Sequence, residues 1–150
     1  MSSISFVNDA MMVRGIPRFV PSESYAGSFG LQWTRHAKAQ LDSNTGRPIS
    51  RERLFGVTRW PATMGGEQIL EAGCGSGRFT EVLAATGADV WSFDLSDAVE
   101  ANHANHGRLP NVHIFQASID AIPCSPGQFD RVLCLGVLQH TPSPARAFYA

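Results

Sequence analysis

Gly73, Gly75 and Gly77 are separated by single residues, Glu71 stands two residues ahead of the first, and Asp94 and His140 follow downstream. Such a turn lets a ligand approach bare backbone, because no side chain intervenes and the turn can take positive φ. A carboxylate before the turn would repel a pyrophosphate and suit a cationic ligand. The interval from Gly73 to Asp94, roughly 20 residues, is that at which nucleotide-binding α/β folds set an acid against the ribose hydroxyls. There a carboxylate accepts the ribose diol and repels a 2′-phosphate; the plainer alternative is that Asp94 caps the helix opening at Ser96 and Asp97. His140 can exchange a proton near neutral pH, although a lone histidine after a strand also serves as a cap or packing residue. The spacing is G-x-G-x-G rather than the dinucleotide G-x-G-x-x-G, since Arg78 occupies the place of the last glycine. By itself, a glycine-rich turn is also an ordinary way to end a strand.

The elements that must position these residues are legible around them. Residues 68–72 suit a buried strand, and Phe79, Val82 and Leu83 recur at helical spacing after the glycines. A helix starting near Ser76 would aim its unpaired N–H groups over the loop. Thr86-Gly87 closes that helix, and 88–93 form a second strand ending at Asp94. Val99 to His106 reads as a polar surface segment in which His103 and His106 are solvated. Residues 111–115 alternate as a third strand would, and 129–136 make an apolar fourth strand.

Glu71-x-Gly73-Cys74-Gly75-Ser76-Gly77 resembles motif I of the class I S-adenosylmethionine-dependent methyltransferases. Phe129-Asp130-x-Val132-x-x-x-Gly136-Val137-Leu138-Gln139-His140 resembles the fourth-strand motif of their type 11, ubiquinone-biosynthesis-like branch. The resemblance implies an α/β fold: a Rossmann-like doubly wound parallel sheet with helices on both faces, here truncated after the fourth strand. It implies S-adenosyl-L-methionine as cofactor, S-adenosyl-L-homocysteine as product, and in-line methyl transfer to a small-molecule acceptor. Glu71, Gly73, Cys74, Gly75, Gly77 and Asp94 are then the expected cofactor residues, with Leu95 against the adenine. Similar methyltransferases often carry an aspartate at Ser118 for the adenine amino group, and Ile119 would offer its backbone N–H to the ring. Ser118 can still accept that bond, more weakly, while Asp120 either substitutes or faces solvent. Leu135 completes the cofactor set, and Gly136, Gln139 and His140 line the acceptor side, His140 being the candidate base.

With 150 residues and a net charge of −1, the chain is one domain in size and lacks an electrostatic footprint for nucleic acid. No apolar run long enough to span a membrane appears, and the protein reads as cytoplasmic. Three cysteines without a C-x-x-C pair support neither a disulfide framework nor a zinc site; Cys74 and Cys134 read as packing residues.

Residues 1–60 read as an N-terminal leader with lid helices and 61–150 as the cofactor-binding domain. The first 24 residues lack periodicity and read as extended or partly disordered. Gly15-Ile16-Pro17-Arg18-Phe19-Val20 resembles a segment that follows a cysteine-rich ribbon in some type 11 relatives, and no cysteine precedes it here. Tyr25, Phe29, Trp33, Ala37 and Leu41 share one helical face, either as core or, as in similar methyltransferases, as a lid in which Tyr25, Gln32 and Trp33 close the cofactor pocket. Residues 42–48 are turn formers, and Ser50 is the expected cap of a helix running toward Pro61. A fourth strand left unpaired would be an apolar edge open to self-association. Two further readings stay open: a non-catalytic cofactor-binding or interaction module derived from a methyltransferase, and a nicotinamide-dependent oxidoreductase.

Overall fold

The computed structural model describes residues 4–20 and 37–149. Its strands are β1 (Met11–Val13), β2 (Ile16–Arg18), β3 (Gln68–Ala72), β4 (Asp89–Asp94), β5 (Val112–Gln116) and β6 (Arg131–Leu133). They form one sheet in the order β1-β2-β5-β4-β3-β6, antiparallel only between β1 and β2. The helices are α1 (Asp42–Thr45), α2 (Ile49–Thr58), α3 (Arg78–Ala84), α4 (Ala98–His106) and α5 (Pro144–Phe148), with a short 3₁₀ turn at Leu138–His140. From β3 the chain winds outward through β4 and β5, then crosses back to place β6 on the other side of β3. The carboxyl ends of β3 and β6 therefore flank the point at which strand order reverses, where an open α/β sheet leaves a crevice.

Period-two alternation assigns the two faces. Ile69, Val90, Val112, Ile114 and Leu133 form one buried cluster with Leu54, Val82, Leu83 and Val99, so α2, α3 and α4 cover that side. Leu70, Ala72, Phe93 and Phe115 form the other, packed against Phe6, Phe19, Ile119, Ile122 and Phe129. On that side the N-terminal stretch lies across the sheet, with Phe6 5.2 Å from Phe115 and 4.7 Å from Phe19 between ring centroids.

Of the first 24 residues, read as an extended or partly disordered leader, the described part is extended and paired into the sheet. Arg14 (φ 52°) and Gly15 (φ 79°) turn left-handed in succession, the geometry of a tight hairpin, and β2 then joins β5 at Arg18 and Gln116. The fourth strand is also shorter than expected, three residues rather than eight. It pairs with β3 only from Arg131 to Leu133 and forms the sheet edge among the described residues, with Val132 57% exposed.

Ser50 does not cap α2. Asp42 does so from a distance, its carboxylate accepting the Ser50 and Arg51 amides at 2.9 Å. Burial raises the Asp42 pKa, but those amides outweigh it and hold the group below the usual carboxylate value. The polar reading of 99–106 is corrected as well: Val99, Ala101, Asn102 and His106 are buried, and burial lowers the His106 pKa. Asn102 and His106, four apart, present one face of α4 to the glycine loop.

Candidate functional site

A cavity of about 410 Å³ opens over the carboxyl ends of β3, β4, β5 and β6, within the range of small-molecule sites. Gly73, Cys74, Gly75, Asp94, Leu95, Ile119, Leu135, Gly136, Gln139 and His140 line it, so most of the expected site residues converge there.

All three glycines of the loop have positive φ, between 53° and 96°. At Gly73 a methyl group would lie 2.3 Å from Val137 Cγ2, on the segment after β6 that closes over the loop. At Gly77 it would lie 2.3 Å from Asn102 Oδ1. Gly77 is therefore absent from the cavity wall because its bare face receives α4, not a ligand.

Nor are the amides of Gly73, Cys74, Gly75 and Gly77 free. Gly73 and Cys74 donate to the Phe93 carbonyl at 2.8 and 3.0 Å, Gly77 donates to Cys74, and Gly75 donates to Asp94 Oδ2 at 2.9 Å. What the loop offers at those positions is backbone surface without side chains.

Asp94 stands at the lip and takes the capping role foreseen for it. Oδ1 accepts the Ser96 amide at 2.9 Å and the Ser96 hydroxyl at 2.7 Å, bracing the entry to α4, while Oδ2 holds Gly75. Of the roughly four acceptor positions of a carboxylate, about one remains. Asp94 can take one further hydroxyl, not the pair expected from sequence.

Glu71 requires the clearest correction. Alternation turns it to the face of Ile69, away from the cavity wall, where it is 2% exposed. Its Oε2 accepts the Thr80 and Ser92 hydroxyls at 2.6 Å each, and Oε1 has no partner among the described residues. Burial, with a smaller contribution from the Asp94 charge, raises its pKa to about 7 against the pull of the two hydroxyls. A group so placed does not supply the exposed negative charge assigned to it.

Ser118 also lies off the wall. Its Oγ accepts the Asp120 amide at 3.2 Å, and the neighbouring Ala117 and Ile119 face the cavity instead. Asp120 is exposed and pairs with Arg146 at 3.6 Å. Tyr25, Gln32 and Trp33 lie outside the described residues. Burial raises the thiol pKa of Cys74, Cys124 and Cys134, that of Cys124 to about 11, which suits packing and not nucleophilic attack.

Sequence reading missed the cationic wall. Arg53 of α2 and Arg78 at the start of α3 both line the cavity, with Arg78 Nε donating to Ser50 Oγ at 3.0 Å. Burial and then the Arg53 charge lower the Arg78 pKa, so the two cations sense one another. Beside them Ser76 is 2% exposed and its hydroxyl has no partner among the described residues. Two guanidinium groups suit a carboxylate. Arg78 had a visible signal, directly after the last glycine; Arg53 reaches the wall only through the packing of α2 on α3.

Gln139 and His140 sit on the 3₁₀ turn beyond β6, their Nε2 atoms 3.4 Å apart. His140 is exposed at the cavity rim, where its imidazole can reach an entering molecule.

Residues 70–149 match the family described as Methyltransferase domain, more than half of the chain. The ubiquinone biosynthesis O-methyltransferase of Albidiferax ferrireducens is 37% identical over 84 residues, covering 53% of this chain and 33% of that protein. The chain thus spans about a third of the length of that relative. Among solved structures, the [4+2]-cyclase SpnF superposes with a TM-score of 0.57 at 17% identity, over 79% of this chain and 53% of its own. Phosphoethanolamine N-methyltransferase 1 of Haemonchus contortus, solved with phosphoethanolamine and S-adenosylhomocysteine, superposes with a TM-score of 0.50 at 21% identity, over 70% and 24% of the respective chains. These two likenesses establish the Rossmann-like fold.

Proposed function

The chain belongs to the methyltransferase-domain family, and from that membership we propose that it binds S-adenosyl-L-methionine in the cavity over β3 and transfers a methyl group to a small-molecule acceptor. The observation that carries this reading is the joint placement of a bare glycine loop, Asp94 and a cationic wall around one cavity of about 410 Å³. When bound, the cofactor supplies a methyl carbon activated by positive sulfur.

The residues present fit that ligand by their chemistry. Asp94 has about one acceptor position left for a ribose hydroxyl, and Leu95 and Ile119 offer apolar contact for an adenine. Arg53 and Arg78 match an amino-acid carboxylate. Leu135, Gly136, Gln139 and His140 then face the acceptor. Alignment of the nucleophile accounts for most of the catalysis in a displacement of this kind. The A. ferrireducens relative is named an O-methyltransferase, which favours an oxygen nucleophile here, with His140 taking its proton.

Calorimetric titration of the full chain with S-adenosylhomocysteine tests the reading. One site is expected, weakened on the order of tenfold or more by Asp94→Ala. Absence of any binding would overturn it. Turnover across a panel of hydroxylated acceptors then separates an enzyme from a module that only binds the cofactor.

A further inference from the structure

We propose that Arg18, in the N-terminal hairpin outside the family-matched segment, is a positioning residue for the adenosine end of the cavity, acting through Gln116 on the backbone at Leu95. The inference rests on the cofactor reading above. Arg18 is largely buried, with 12% of its side chain exposed. Its Nη1 donates to Gln116 Oε1 at 2.8 Å and to Asp97 Oδ1 at 2.6 Å, while Nη2 donates to Glu100 Oε1 at 2.6 Å.

A guanidinium has only donors, so the amide oxygen of Gln116 must face it. That orientation leaves the amide nitrogen on the other side, where Nε2 donates to the Leu95 carbonyl at 2.8 Å. Gln116 is 3% exposed, so no solvent replaces either partner. Leu95 lies between Asp94 and Ser96, all three on the cavity wall. The two carboxylates that Arg18 also holds open α4: Asp97 is its cap residue and Glu100 stands in its first turn. One buried cation thus fixes both ends of the segment from Asp94 to the start of α4, from a strand remote in sequence. Arg14 pairs with Glu100 at 2.6 Å, at an exposed position, and among the described residues has no hydrogen bond to Gln116.

Affinities of the full chain for S-adenosylhomocysteine and for 5′-methylthioadenosine, which keeps the adenosine and lacks the amino acid, form the test. Arg18→Met is expected to weaken both by a similar factor, on the order of tenfold. Gln116→Met should weaken both in the same proportion to each other and no more than Arg18→Met does, and the double variant should lose no more than Arg18→Met alone. Arg14→Met should leave both affinities unchanged. Should Arg18→Met fail to fold, Gln116→Met decides by the same criterion. Unchanged affinity in a folded Arg18→Met or Gln116→Met, or fully additive losses in the double variant, would overturn the inference while leaving the cofactor reading standing. A wild-type chain that binds neither compound removes both.

Discussion

Replacing Glu71 by Gln isolates the cost of burying a carboxyl beneath the glycine loop. Glu71 is 2% exposed, with Thr80 and Ser92 on one oxygen and no partner on the other among the described residues. Burial raises its pKa from 4.5 to about 7. Because the folded state holds the proton more tightly than the unfolded chain, the stability tied to Glu71 is complete below pH 4.5. It declines as pH rises toward 7 and levels off above. At about 1.4 kcal/mol per unit, a rise from 4.5 to about 7 corresponds to about 3 kcal/mol. Glutamine preserves the shape and still accepts from the two hydroxyls, but does not titrate. Urea unfolding followed by tryptophan fluorescence, from pH 4 to pH 8.5, gives the difference in stability between wild type and Glu71→Gln; taking the difference cancels every other titrating group. That difference should move in favour of the variant by about 3 kcal/mol across the range. Parallel curves would refute the placement of Glu71 as a buried, protonatable group.

Gly77→Ala should destabilise the fold by about 3 kcal/mol, from left-handed strain together with overlap against Asn102 and His106; an unchanged thermal midpoint would contradict the close approach of α4. Asp42→Ala removes the distant cap of α2 and should cost about 1 to 2 kcal/mol at pH 7. Since the Asp42 pKa is lowered, that stabilisation is present above the ordinary carboxylate value and lost as pH falls through the lowered one. Wild type and variant should therefore converge in acid, and denaturant unfolding at pH 7 and pH 3 checks this.

What could be read from the chain was local. The glycine loop, β3, β4 and Asp94 form one uninterrupted run whose spacing and turn chemistry are self-contained, and the segment from Leu135 to His140 follows directly from a strand ending beside that loop. Failures came where a residue acts on something distant in sequence. Asp42 caps a helix across an intervening turn, and Arg53 reaches the cavity only through α2 packing on α3. The β1–β2 hairpin escaped notice because its turn is Arg14-Gly15, without the Asn or Asp that usually marks one. Glu71 is a different case, since its signal was present. Alternation along β3 puts it on the side of Ile69, and Thr80 and Ser92 were available on the neighbouring elements to receive it.

That misplacement moves the ground on which the proposed sulfur nucleoside, rather than a dinucleotide, would suit the loop. A pyrophosphate needs backbone N–H groups that are free to donate, and those of Gly73, Cys74, Gly75 and Gly77 are all engaged within the chain. Asp94 adds a carboxylate at the same lip, where a phosphate would be repelled. A nucleoside asks for neither free amides nor a cation there; it needs room against bare backbone, one acceptor for a hydroxyl, and apolar walls at Leu95 and Ile119. The cationic side chains stand at Arg53 and Arg78, where a carboxylate joined to such a nucleoside through a short chain could be met. On the proposed reading, selection would arise from the hydrogen bonds the loop has already made, and the two arginines would favour a nucleoside that carries an acid.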